Sequence, residues 1–224
     1  MINLQNTGQA TADAIKLLVY GAAGVGKTSL IPTMPAPVIL SAEAGLLSIA
    51  NADLPFLAIK SMDDLREAYT WLTTSDDAKG FKSIALDSIS EIAEVCLDAE
   101  KKSAKDPRQA YGEMATTMAQ VIRLFRDIPH RHVLFTAKLD KSQDETGRML
   151  YAPSMPGNKT GQALPYYFDI VAALRVEKDA EGNAQRALMC DTDGLWQAKD
   201  RSGKLDAWEA PDIGEIIAKI GGTK

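Results

Sequence analysis

Gly21-Ala22-Ala23-Gly24-Val25-Gly26-Lys27-Thr28 have the residue types and the spacing to hold a polyphosphate. They satisfy the pattern G-x-x-x-x-G-K-[ST] in full. The glycines let the backbone turn its N–H groups onto a phosphate, and a helix starting behind the loop adds a favourable dipole. Lys27 is placed to reach the β- and γ-phosphates, the Thr28 hydroxyl to ligate Mg²⁺, and Ser29 to complete the binding set. The cofactor this chemistry calls for is ATP with Mg²⁺.

Such a loop binds a nucleotide; carboxylates decide what happens to it. Asp87 ends the apolar run Ser83-Ile84-Ala85-Leu86, which suits it to hold the metal. An ordinary strand-end Asp opening a turn fits the same position. Hydrolysis also needs a group that orients and polarises water. Many loop ATPases of the AAA+ type carry a Glu directly after the metal-binding Asp, but here that position is Ser88. The candidate is instead Glu43, just past the run Pro37–Ser41. At the C-terminal end of a neighbouring strand it would face the same crevice as the loop. A solvated loop glutamate fits the spacing equally well.

These residues need elements to position them. Ile15–Tyr20 reads as a buried strand leading into the loop, and Thr28–Ile31 opens a helix that Pro32 and Pro35 cut short. Strands follow at Pro37–Ser41, Leu57–Ile59, Ser83–Asp87 and His132–Ala137. Between them, Ser61 with Asp64 and Ser88 with Glu91 form two capping boxes, opening helices over Met62–Leu72 and as far as Ala99. A basic linker of Lys101, Lys102, Lys105 and Arg108 precedes a longer helix with Ala110, Met114, Met118, Val121, Ile122 and Phe125 on one face. Alternating strands and helices predict an α/β fold with a mainly parallel sheet. After Leu139 the pattern changes: Asp144–Gly147 reads as a hairpin tip before Arg148–Tyr151, Ile170–Val176 and Gln185–Cys190 as strands, and Asp212 as the cap of a final helix. We expect a single domain, with an N-terminal arm over 1–13, a nucleotide-binding core over 14–137, and hairpin, strands and helix over 138–224.

The net charge of −5 gives no global pull toward nucleic acid or an anionic membrane, so any such contact needs a local basic patch. Cys96 and Cys190 lack metal-ligand spacing and read as idle thiols in a reducing compartment. His130 and His132 have no further ligands beside them and read as surface or strand-entry residues. The polar start of the chain lacks the apolar core of a secretory signal, and no run is long enough to span a membrane. The expectation is a cytoplasmic protein without a membrane partner.

Val38-Ile39-Leu40-Ser41-Ala42-Glu43-Ala44-Gly45-Leu46 resembles the segment that carries the catalytic Glu in RecA-type recombinases. More widely, the chain resembles the short RecA-like P-loop ATPases of phages and prophages, a group that includes Sak-type single-strand annealing proteins. The resemblance spans roughly residues 14–205 and rests on the 21–28 loop, the Glu43 segment and Ile84–Ser90. It rests also on Thr136-Ala137-Lys138, Leu164–Val171 and Ala198-Lys199-Asp200-Arg201. The resemblance implies a RecA-like fold in a bacterial or phage-infected host cell, with ATP hydrolysis serving recombination or strand annealing. Single-stranded DNA is the partner it implies, with a single-strand-binding protein as a further one.

Further residue roles follow from the resemblance. Lys199 and Arg201 match the Lys-x-Arg fingers that reach the γ-phosphate of a neighbouring subunit, which implies a homo-oligomeric ring or filament. A solvated basic turn fits them too. Lys138 stands where relatives place a Gln or His and departs from that pattern. The stretch 138–159 is the counterpart of the recombinase DNA loops, and its Lys138, Lys141, Arg148, Tyr151 and Lys159 suit single-strand binding. A charged exposed hairpin is the plainer reading, and Asp140, Asp144 and Glu145 dilute the basic signal. The alternatives in function are an AAA+-like motor or loader, a small-molecule kinase, and a non-catalytic nucleotide-gated interaction module.

Overall fold

Continuous apolar runs bury strands on both faces, and that sets the architecture. The computed structural model describes residues 14–43, 45–178 and 181–221, with the side chains of 158 and 159 also outside the description. The arm expected over 1–13 lies outside the described residues. Strand β1 (Lys16–Gly21) is buried from Leu17 onward and lies at the middle of the sheet. On one side it pairs in parallel with β5 (His132–Gln143), then come β4 (Ser83–Asp87), β2 (Pro37–Ser41) and β3 (Phe56–Ala58), all parallel. On the other side β1 pairs in parallel with β7 (Ile170–Lys178). There the sheet turns antiparallel through β8 (Ala184–Met189) and β10 (Trp208–Glu209). Two further antiparallel strands attach, β6 (Met149–Ser154) to β5 and β9 (Lys199–Asp200) to the start of β7.

The fold is thus α/β with a mostly parallel central sheet, as the sequence predicts. Helices α1 (Met62–Thr74), α2 (Ile89–Ser103) and α3 (Pro107–Arg126) cover one face, where Leu18, Leu40, Ile84 and Phe135 meet Leu65, Ile92 and Met118. The opposite face joins Leu17, Val19, Ile39 and Leu134 to Val25, Ile31 and the four isoleucines of α5 (Ile213–Ile220). A short helix, α4 (Asn158–Ala163), follows β6.

Local chemistry accounts for the boundaries. The Ser61–Asp64 capping box is formed in full. Ser88 accepts from the Glu91 N–H, the half of the second box that the structure contains. The expected basic linker is mostly helical: Lys101 and Lys102 sit in the last turn of α2, and Arg108 lies inside α3, which Asp106 caps with Pro107 in its first turn. Behind the phosphate loop, the expected helix is a 3-10 segment over Thr28–Thr33 with Pro32 inside it. It ends against α5, where the Ile213 N–H donates to Thr33 Oγ1 at 2.8 Å. A Cβ on Gly214 would fall 2.5 Å from the Thr33 carbonyl, so this approach needs glycine there. Strand β5 runs past its expected end at Ala137 and forms a two-stranded arm with β6, its tip at Asp144–Gly147.

Candidate nucleotide-binding site

Strands β1, β4 and β2, with β5 between the first two, end at the same edge of the sheet, and the candidate residues lie at their C-terminal ends. Gly21 closes β1; a Cβ on it would lie 2.7 Å from the Leu174 carbonyl of β7, so the loop starts where only glycine fits. Ala22, Ala23 and Gly24 are exposed, Val25 turns into the core, and Gly26 has φ of +104°. That value lies in the left-handed region that L side chains avoid. Lys27 folds back across the loop, its Nζ donating to the carbonyls of Gly21 and Ala22, each at 3.0 Å. Burial pulls the Lys27 pKa down, while Glu43 and Asp87 nearby oppose that shift. Ser29 is exposed at the start of the short helix.

Asp87 is almost wholly buried at the end of β4. One of its oxygens accepts the Thr28 hydroxyl at 2.7 Å, and the other accepts the hydroxyl of Thr136 on β5. Thr136 is fully buried and stands one residue beyond the Leu86–Phe135 register pair. No role for Thr136 follows from the sequence; its signal is the single hydroxyl in the buried run 133–137.

Glu43 is fastened to this same strand end. The N–H groups of Ala42 and Glu43 both donate to the Asp87 carbonyl, and the Ser41 hydroxyl donates to the Glu43 carbonyl at 2.6 Å. The Ser88 hydroxyl, which follows Asp87 through a cis peptide bond, donates to Glu43 Oε1. The position where AAA+ enzymes carry a second carboxylate therefore orients a carboxylate supplied by β2. Beside Glu43 opens an apolar cleft of about 600 Å³, lined among others by Ile39, Leu46, Ile49, Leu54 and Phe56.

Lys138 reaches the rim of the site. Its Nζ donates to Glu91 Oε2 at 2.5 Å, a bond that raises its pKa, and Glu43 adds to the effect. Other expected residues are elsewhere. Lys199 is half-buried in β9, paired with Val171 near the start of β7, away from the strand ends that bear the loop. Burial and Arg201 lower its pKa. Arg201 is exposed, 3.6 Å from Asp169 and donating to the Tyr166 carbonyl at 3.2 Å. Both therefore lie outside the site that their own chain forms.

On the β5–β6 arm, Arg148 is held by Asp144 at 2.8 Å, and Tyr151 stacks on Trp196 with centroids 4.2 Å apart. Lys141 is exposed and makes no salt bridge among the described residues. The side chain of Lys159 lies outside the described residues. His132 is buried and its Nδ1 accepts from the Ile15 N–H, the strand-entry role expected of it.

Oxygen donors and a lysine suit Mg²⁺-ATP. No cluster of three His, Cys, Asp or Glu among the described residues could cage a metal alone. Thr28 and Asp87, already in contact, are the residues that would hold magnesium, which takes few protein oxygens when phosphates provide the rest. Fold and site together define a P-loop nucleotide-binding protein of the ATPase type.

The comparisons narrow this. The family model described as AAA domain matches residues 13–202, and the chain belongs to that family. No curated protein matches. Among solved structures, an ATPase from the type III secretion system of pathogenic bacteria is similar at 15% identity with a TM-score of 0.50. The alignment covers 73% of this chain and 54% of that one, so the chain spans about half the length of that ATPase. A KaiC-like protein from the archaeon Pyrococcus horikoshii OT3 aligns over 78% of this chain and 77% of its own, at 14% identity and a TM-score of 0.41. Among the described residues no helix is long and apolar enough to cross a membrane.

Proposed function

We propose that this chain hydrolyses ATP with Glu43 as the water-activating base and couples turnover to single-stranded DNA, in phage recombination or strand annealing. The observation that carries the hydrolytic part is the convergence of Lys27, Thr28, Asp87 and Glu43, with Glu43 held by Ser88. Lys27 and the loop N–H groups bind the phosphates, and Thr28 with Asp87 holds the metal. Magnesium, when bound, neutralises charge on the β- and γ-phosphates. Glu43 orients the attacking water and accepts its proton. Lys199 and Arg201, remote from their own loop, act on a neighbour's nucleotide in a ring or filament. The DNA assignment follows from the resemblance and from the exposed arm bearing Lys141.

Membership of the AAA-domain family goes with a second reading that we weigh, a motor or loader ATPase. One experiment separates the two: steady-state ATP hydrolysis with and without single-stranded DNA, alongside sizing with and without Mg²⁺-ATP. The recombination reading expects stimulation by single strands and a nucleotide-dependent oligomer. Turnover indifferent to single strands rejects it, and a strict monomer leaves Lys199 and Arg201 without a target.

A further inference from the structure

Strand β8 lies two strands away from β1, yet one of its side chains reaches the phosphate loop. Arg186 Nε donates to the Val25 carbonyl at 2.7 Å. Side chains alternate along a strand, so Arg186 shares a face with Leu188, which packs in the same cluster as Val25. The Arg186 side chain lies against the loop: a Cβ added to Gly26 would meet Arg186 Nε at 3.1 Å and Cδ at 3.4 Å. No sequence motif marks this residue, and the mechanism above does not use it.

The consequence follows from the peptide unit. The Val25 carbonyl and the Gly26 N–H belong to one planar trans peptide and point in opposite directions. Fixing the carbonyl toward Arg186 therefore turns the Gly26 N–H away from Arg186. Such fixing is needed here because Gly24 and Gly26 flank Val25, with φ of +72° and +104°. Glycine visits both signs of φ with little cost, so the 25–26 peptide can flip unless something holds it. We propose that Arg186 is a positioning residue for nucleotide binding: its bond to the Val25 carbonyl holds the loop with the Gly26 N–H aimed at the phosphates of a nucleoside polyphosphate.

This inference rests on the nucleotide-binding reading, and the test separates the two. Mg²⁺-ATP affinity is measured by calorimetry for wild type, R186M, R186K and, as a control for the loop itself, K27A. R186M keeps the aliphatic stem over Gly26 and removes the donor; R186K restores a donor and the charge. The expected result is a loss of about tenfold or more in affinity for R186M, recovered to within about threefold by R186K. The melting temperature of nucleotide-free protein should be the same for wild type, R186M and R186K, because Arg186 is exposed. R186M binding as tightly as wild type overturns the inference and leaves nucleotide binding intact. Loss in R186M without recovery in R186K overturns it too. A wild type that binds no Mg²⁺-ATP, like K27A, overturns both.

Discussion

The mouth of the parallel strands and the β5–β6 arm both carry charged residues that a sequence scan marks as functional, and they hold them in opposite ways. At the mouth, Asp87 is buried and receives two hydroxyl donors, while backbone N–H groups and Ser88 fasten Glu43. On the arm, Arg148 is exposed and its partner is the acid four residues before it. A buried carboxylate needs every donor it has, because an unmade bond there leaves an unsolvated charge. An exposed pair loses little when broken. The same residue types are thus buried and fully bonded at the mouth and solvent-exposed on the arm.

That contrast can be broken, starting where the effect should be largest. T136V keeps the shape of a fully buried side chain and removes one donor to Asp87. Hydrogen bonds to charged groups are worth about 1.5–3 kcal/mol, so ATP turnover should fall about tenfold or more and thermal unfolding should come earlier. Turnover equal to wild type would mean that Asp87 does not need the second hydroxyl.

The arm predicts a smaller and asymmetric response. K141A should weaken single-stranded DNA binding by a few-fold and flatten its salt dependence. R148A should do less, since Asp144 already occupies that guanidinium. Equal losses from both, read by anisotropy titration over salt, would show that the arm's ion pairs open for DNA.

A last test concerns the opposite end of β1, away from both regions. Lys16 lies largely buried with its Nζ on the carbonyls of Ile128 and Arg131. Burial lowers its pKa from 10.5 to about 8. Between those values the unfolded chain binds more protons than the folded one, so this group's contribution to stability rises with pH. The melting temperature of wild type relative to K16M should therefore increase from pH 8 to 10, with Tyr20, Cys96 and Cys190 common to both proteins. A flat difference would mean that burial does not set the Lys16 titration.

What the sequence made legible follows the same divide. The phosphate loop, the buried strands and the Ser61 cap are local patterns, readable because a few adjacent residues determine the backbone. Glu43 was readable as a strand-end carboxylate, but its hold by Ser88 joins residues 45 apart. The Thr136–Asp87 bond spans 49 residues and the Arg186 tether 161. Such pairings depend on strand order, which no local pattern encodes. The helix behind the loop came out as a 3-10 segment because Pro32 falls within it and α5 docks on its end.

The central claim is that Glu43, presented by β2 and held by Ser88, activates water for hydrolysis. Single-turnover ATP hydrolysis by E43Q, with Mg²⁺-ATP affinity measured on the same preparation, tests it most directly. The account predicts unchanged affinity and a rate lower by about two orders of magnitude or more. Hydrolysis at the wild-type rate with ATP bound normally would contradict it.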